Sequence, residues 1–98
     1  MSARLLDGPS VASAIRESVL PDVTAFTAAA GRPPGLGIVL VGEDPSSEIY
    51  VRNEVKAGAE TGLWVALQRL PSTASLDELL GLVARLNASD LHDGILVQ

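Results

Sequence analysis

The stretch "SSEIYVRNEVKAG", residues 46–58, places a tyrosine, a glutamate and a lysine within seven positions, straight after a Gly-Glu-Asp-Pro turn. Read as a helix at about 100° per residue, it sets Tyr50 and Glu54 one turn apart on the same flank, with Asn53 beside them. Val51, Val55, Gly58, Ala59 and Gly62 make the apolar stripe, and Arg52, Lys56 and Glu60 fall on the opposite shoulder. A phenol, a carboxylate and an amide on one flank can orient a ligand and exchange protons with it. The same residues also have ordinary uses, since tyrosines commonly half-bury in a first helical turn and helix glutamates usually face water. Asp44 or Ser46 suits the helix cap, Pro45 pre-sets its backbone, and His92-Asp93-Gly94 reads as a turn into a last strand.

Other chemistries are removed by composition. The chain has 98 residues, enough for one domain, with 47% hydrophobic and 19% charged residues, as in a packed protein. It has no cysteine, which excludes disulfides, thiolate nucleophiles and zinc–thiolate sites, and its single histidine, His92, makes no histidine-based metal centre. A net charge of −5 without a Lys/Arg cluster argues against nucleic acid and anionic membranes as partners. No apolar run approaches the roughly 20 residues of a membrane span, and the N-terminus lacks a signal-peptide core, so a cytoplasmic location is expected.

Two kinds of segment alternate and must position the flank. Val11, Ile15, Val19, Val23 and Phe26 recur at helical spacing in a first helix, which Pro21 should kink or divide. "LGIVLVG" (36–42) has the continuous apolar pattern of a strand buried on both faces. A helix over about 46–61 follows, stopped by Gly62, and then a weaker strand at 63–70 interrupted by Gln68 and Arg69. The third helix carries a Ser75–Glu78 capping box and a predicted buried stripe of Leu76, Leu79, Leu80, Val83 and Leu86. "DGILVQ" (93–98) is the third strand. The order α-β-α-β-α-β predicts an α/β fold, a three-layer α-β-α unit with parallel strands joined by right-handed crossovers. Ligands bind beyond the carboxyl ends of such strands, which brings Gln98 toward Tyr50 and Glu54. A chain that ends on a core strand is expected to be a piece of something longer.

Taken together, "LLDG", "PGLGIVLVGEDPSSEIYVRNEVKAGAETGL", "RLPSTASLDELLGLVARLN" and "DGILVQ" resemble the N-terminal catalytic domain of the bifunctional methylenetetrahydrofolate dehydrogenase/methenyltetrahydrofolate cyclohydrolase family, over nearly all of residues 1–98. The resemblance implies a one-carbon enzyme that interconverts 5,10-methylene-, 5,10-methenyl- and 10-formyl-tetrahydrofolate with NADP, works as a homodimer and serves purine biosynthesis. It implies a tetrahydrofolate derivative as substrate, and NADP held by a domain that these residues do not include. The family motif Ser-x-x-Tyr-Val-x-x-Lys-x-Lys maps onto Ser47, Tyr50, Val51 and Lys56, and its catalytic first lysine falls on Glu54. The glutamine that supports that lysine maps onto Gln98. By resemblance Glu54, Gln98 and Tyr50 form the catalytic locus, with Ser47, Val51, Arg52, Asn53 and Val97 lining the substrate and Lys56 as a secondary group. Glutamate keeps a possible base but reverses the charge a lysine supplies. A non-catalytic homologue or fragment, acting as an association or regulatory module, is the alternative.

Overall fold

The computed structural model describes residues 3–98, in the order α1 (Gly8–Ala30), β1 (Gly35–Val41), α2 (Pro45–Glu60), β2 (Trp64–Leu70), α3 (Leu76–Ala88) and β3 (Gly94–Val97). All three strands are parallel, in the spatial order β2-β1-β3. The expected α/β unit is therefore present, and β1, the most continuously apolar segment, takes the centre.

Alternation along β1 assigns the two faces. Ile38 and Leu40 pack under α2 with Val51, joined by Leu36, Val55, Val65 and Leu67. Val39 packs under α3 with Leu82 and Leu86, joined by Val41, Leu79 and Ile95. Ile38, Val39 and Leu40 are fully buried, each worth roughly 1.5–3 kcal/mol against exposure. Helices on both faces leave no solvated side for β1, which is why it reads as an unbroken apolar run.

Helices α1 and α3 depart from their sequence reading in a physically readable way. Helix α1 continues through Pro21 as one element and is not divided. Pro21 removes one N–H donor, and hydroxyls of Thr24 and Thr27 bond back to the carbonyls of Leu20 and Val23. Of its predicted stripe, Val23 is half-buried near the end of α2 and Phe26 half-buried beneath Arg32, whereas Val11, Ile15 and Val19 remain exposed. In α3 the buried arc centres on Leu79, Leu82 and Leu86, so Leu76 and Leu80, at 68% and 55% exposure, lie off it. Apolar spacing alone places the stripe rotated from this arc and omits Leu82. The Ser75 half of its capping box is made, with the Glu78 N–H donating to Ser75 Oγ at 3.1 Å.

Asp93 has more than a turn to make. Arg32 grips it through both guanidinium nitrogens, at 2.7 and 3.0 Å, and the Gly35 N–H donates to it at 2.8 Å. Arg32 also lies over the Phe26 ring, 5.4 Å from its centre. This ties the end of α1 and the start of β1 to the entry of β3. The Arg32 hydrogen bonds, and then the Gly35 N–H, pull the Asp93 carboxyl down to about 2. A depressed carboxyl stabilises the fold above the ordinary aspartate range and loses that contribution as pH falls toward the depressed value. The melting temperature should therefore fall between about pH 4 and pH 2, and Asp93→Asn should flatten that limb while lowering the value near neutrality. Identical acid limbs in the two proteins would remove Asp93 from this role.

Gly58 permits the closest approach of α2 to β2, because a Cβ there would stand 2.5 Å from Val65 Cγ2. Alanine would favour the helix by about 1 kcal/mol, but crowding the branched Val65 costs about 1–3 kcal/mol. Gly58→Ala should lower stability in urea unfolding by up to about 2 kcal/mol. A gain would mean that α2 and β2 separate at little cost.

Candidate functional site at the carboxyl edge of the sheet

The site is built where β1 and β3 end. The crossover through α2 leaves β1 toward β2, and the crossover through α3 returns past β1 to β3, so the chain diverges between β1 and β3. A crevice outside the carboxyl ends of two such strands is where open α/β sheets hold ligands. Gln98 is pinned there by the continuing ladder: its N–H donates to the Val39 carbonyl at 2.8 Å, and its own carbonyl accepts from the Val41 N–H at 2.9 Å. Val97 pairs with Val39, whose side chain faces α3, so the next residue directs its side chain to the α2 face.

On that face Gln98 meets Glu54. Its Nε2 donates to both carboxylate oxygens, each at 3.1 Å, in a half-buried setting. Helix α2 aims Glu54 because Val51, 1% exposed, locks the helix onto Ile38 and Leu40 and leaves residue 54 over the strand ends. Tyr50 stands one turn earlier on the same flank at 57% exposure, and Asn53 is exposed beside it. At the start of α2 the Asp44 carboxylate accepts from the N–H groups of Ser46 and Ser47, at 2.8 and 3.4 Å. The half-buried Ser47 is thus part of the helix cap.

Some residues expected to line this site lie elsewhere. Val51 is a core residue with no side-chain surface to offer. Val97 projects to the α3 face, beside Val83, on the far side of the sheet from Glu54. Arg52 and Lys56 run along a separate groove between α2 and β2, with Leu67 at its floor and Arg69 at its edge. There Arg69 and Glu48 form a two-nitrogen ion pair, one bond of which measures 2.9 Å. That pair holds the Glu48 carboxyl below and the Arg69 guanidinium above their usual ranges. In the sequence Arg69 reads as an interruption of β2. Its signal was parity, since Arg69 follows Leu67 by two and must share the face that α2 covers. Among the described residues no group of three or more histidine, cysteine, aspartate or glutamate side chains could hold a metal ion, and no described helix is long and apolar enough to cross a membrane.

A half-wound parallel α/β unit with a polar pair at its switch point belongs to the class of open α/β sheets, whose ligands bind at the carboxyl edge of the strands. The family model described as tetrahydrofolate dehydrogenase/cyclohydrolase, catalytic domain, matches residues 6–98. The chain is 54% identical over 96 residues to bifunctional protein FolD 3 of Rhizorhabdus wittichii, covering 98% of this chain and 32% of that protein. It is 47% identical over 98 residues to bifunctional protein FolD of Sorangium cellulosum, covering 100% and 34%. Among solved structures, the methylenetetrahydrofolate dehydrogenase-cyclohydrolase of Trypanosoma brucei, complexed with NADP cofactor and inhibitor, superposes with a TM-score of 0.91 at 33% identity, over 100% of this chain and 34% of that one. A methylenetetrahydrofolate dehydrogenase from the silkworm Bombyx mori gives 0.92 at 33% identity, over 99% and 33%. This chain belongs to the tetrahydrofolate dehydrogenase/cyclohydrolase family, as a catalytic domain, and spans about a third of the length of these relatives.

The N-terminus of α2 offers no site for the pyrophosphate of NADP. A pyrophosphate seeks free N–H groups at a helix N-terminus, but at α2 the Asp44 carboxylate already takes them, with Glu43 before it and Glu48 in the first turn.

The Glu54–Gln98 contact is testable without any ligand. Hydrogen bonds to a charged group contribute about 1.5–3 kcal/mol when sheltered, and half-exposure reduces this to about 1 kcal/mol. A double-mutant cycle of Glu54→Ala and Gln98→Ala in urea unfolding should return a coupling of that size. Strict additivity would mean that the pair contributes nothing.

Proposed function

We propose that this domain is the folate-site part of an enzyme interconverting 5,10-methylene-, 5,10-methenyl- and 10-formyl-tetrahydrofolate, by NADP-linked dehydrogenation and cyclohydrolase hydrolysis. The observation that carries the reading is the Glu54–Gln98 pair, one helical turn from Tyr50, at the switch point of a chain in this family. Tyr50 offers an exposed ring on which the flat pterin can rest. Gln98 fixes the side chain at position 54, and Ser47 helps to hold the α2 entry. The one-carbon centre then lies against residue 54.

NADP, when bound, supplies the hydride acceptor, and residues outside this chain hold it. In the cell the intact protein is a cytoplasmic homodimer. Residues 1–98 form its N-terminal catalytic domain.

Position 54 sets the rate. A lysine there would supply positive charge and cycle its proton, whereas the Glu54 carboxylate can accept a proton but cannot stabilise developing negative charge. In the protein at its natural length, Glu54→Lys should raise dehydrogenase and cyclohydrolase turnover together, by about 10²–10⁴-fold, with a smaller change in folate affinity. Steady-state kinetics on methylene- and methenyl-tetrahydrofolate, with binding measured separately, is the check. Equal rates in the two forms would make glutamate itself the catalytic group. Folate binding without turnover in either form would favour an association or regulatory module.

A further inference from the structure

The Glu54 carboxylate has a neutral amide as its hydrogen-bond partner and, among the described residues, no ion-pair partner. The cations on its own helix are directed elsewhere: Arg52 and Lys56 line the groove on the β2 side, and the nearby Arg69 is engaged by Glu48. Glu43 lies on the β2 side beside Arg69, and Asp44 caps α2 without an ion pair among the described residues, so neither supplies a cation to Glu54. Gln98 has turned its Nε2 to the carboxylate, which leaves its Oε1 as the free atom of the amide. A ligand therefore meets two acceptors, a carboxylate and an amide oxygen, in a half-buried setting where charge is less screened than in open water.

Such a lining discriminates among the forms of a one-carbon folate by charge. In the 5,10-methenyl form the bridging carbon lies between two nitrogens that share a delocalised positive charge, as in an amidinium. In the 5,10-methylene form the bridge is a saturated carbon between two uncharged amines. In the 10-formyl form the one-carbon unit presents a carbonyl oxygen, whose lone pairs would face the Glu54 carboxylate.

We propose that the Glu54–Gln98 pair makes this domain selective for the cationic 5,10-methenyl form of tetrahydrofolate over its uncharged one-carbon forms. The inference rests on the folate reading given above and adds to it a preferred charge state. Binding is the whole of the claim: no bond to the ligand forms or breaks. The methenyl cation is held by charge complementarity with Glu54, and Gln98 keeps the carboxylate turned toward it.

The test is a rapid-mixing binding measurement on the protein at its natural length, without nicotinamide and read before the methenyl form is hydrolysed, using 5,10-methenyl- and 5,10-methylene-tetrahydrofolate in turn. The native protein, Glu54→Gln and Glu54→Lys are compared. The native protein should bind the methenyl form tighter by about tenfold or more, the scale of a carboxylate facing a full charge at a protein surface. The ratio should fall close to one in Glu54→Gln, which keeps shape and hydrogen bonding, and should invert in Glu54→Lys. Three proteins that bind both forms with one unchanged ratio would overturn the charge selectivity and leave the folate reading standing. Three folded proteins that bind neither form would overturn both.

Discussion

Everything in this domain depends on β1 being buried on both faces. A strand in that position has no side to give to water, so two helices must cover it and its alternating residues are divided between them. Ile38 and Leu40 go to α2, Val39 and Val41 to α3. That parity is carried sideways by the parallel registers, in which Ile38 faces Leu67 on one side and Leu96 on the other. It also decides the site. Gln98 continues the ladder one residue beyond Val97, so its side chain must emerge on the α2 face, where the Val51 anchor has already fixed Glu54.

The architecture was legible in the sequence because its signals are local and redundant. The run "LGIVLV", the Gly62 stop after α2 and the Ser75 cap of α3 each mark an element by its own chemistry. What sequence reading missed came from contacts between distant residues. Helical periodicity gives an apolar arc but not its exact centre, and α3 turned that arc toward Leu82 to meet Val39. The exposed front of α1 was unreadable for the same reason, since Val11 and Ile15 have the spacing of a buried stripe whether or not anything covers them. Asp93 reads as a turn residue because its partner, Arg32, lies sixty-one positions away in sequence.

The candidate site was readable to the extent that helix geometry determines it. Spacing at i, i+4 put Tyr50 and Glu54 on one flank and Lys56 on another, and the structure has that arrangement. Val97 and Val51 were carried into the site by neighbourhood in sequence, and strand and helix parity remove their side chains from it. A resemblance transfers positions along a chain, but only the pleat and the helical turn say where each side chain goes. The same geometry gives position 54 its surroundings: a carboxylate held by a neutral amide, with the cations of its helix, Arg52 and Lys56, lining another groove.

The most direct check on this account is a measurement on Gln98 itself. Its side-chain amide resonances can be compared by ¹H–¹⁵N NMR in the native protein, Glu54→Gln and Glu54→Ala. If Nε2 donates to the Glu54 carboxylate, the amide protons should lie downfield in the native protein and move upfield in both variants. Amide resonances at the same positions in all three proteins would contradict the pairing on which the site is built.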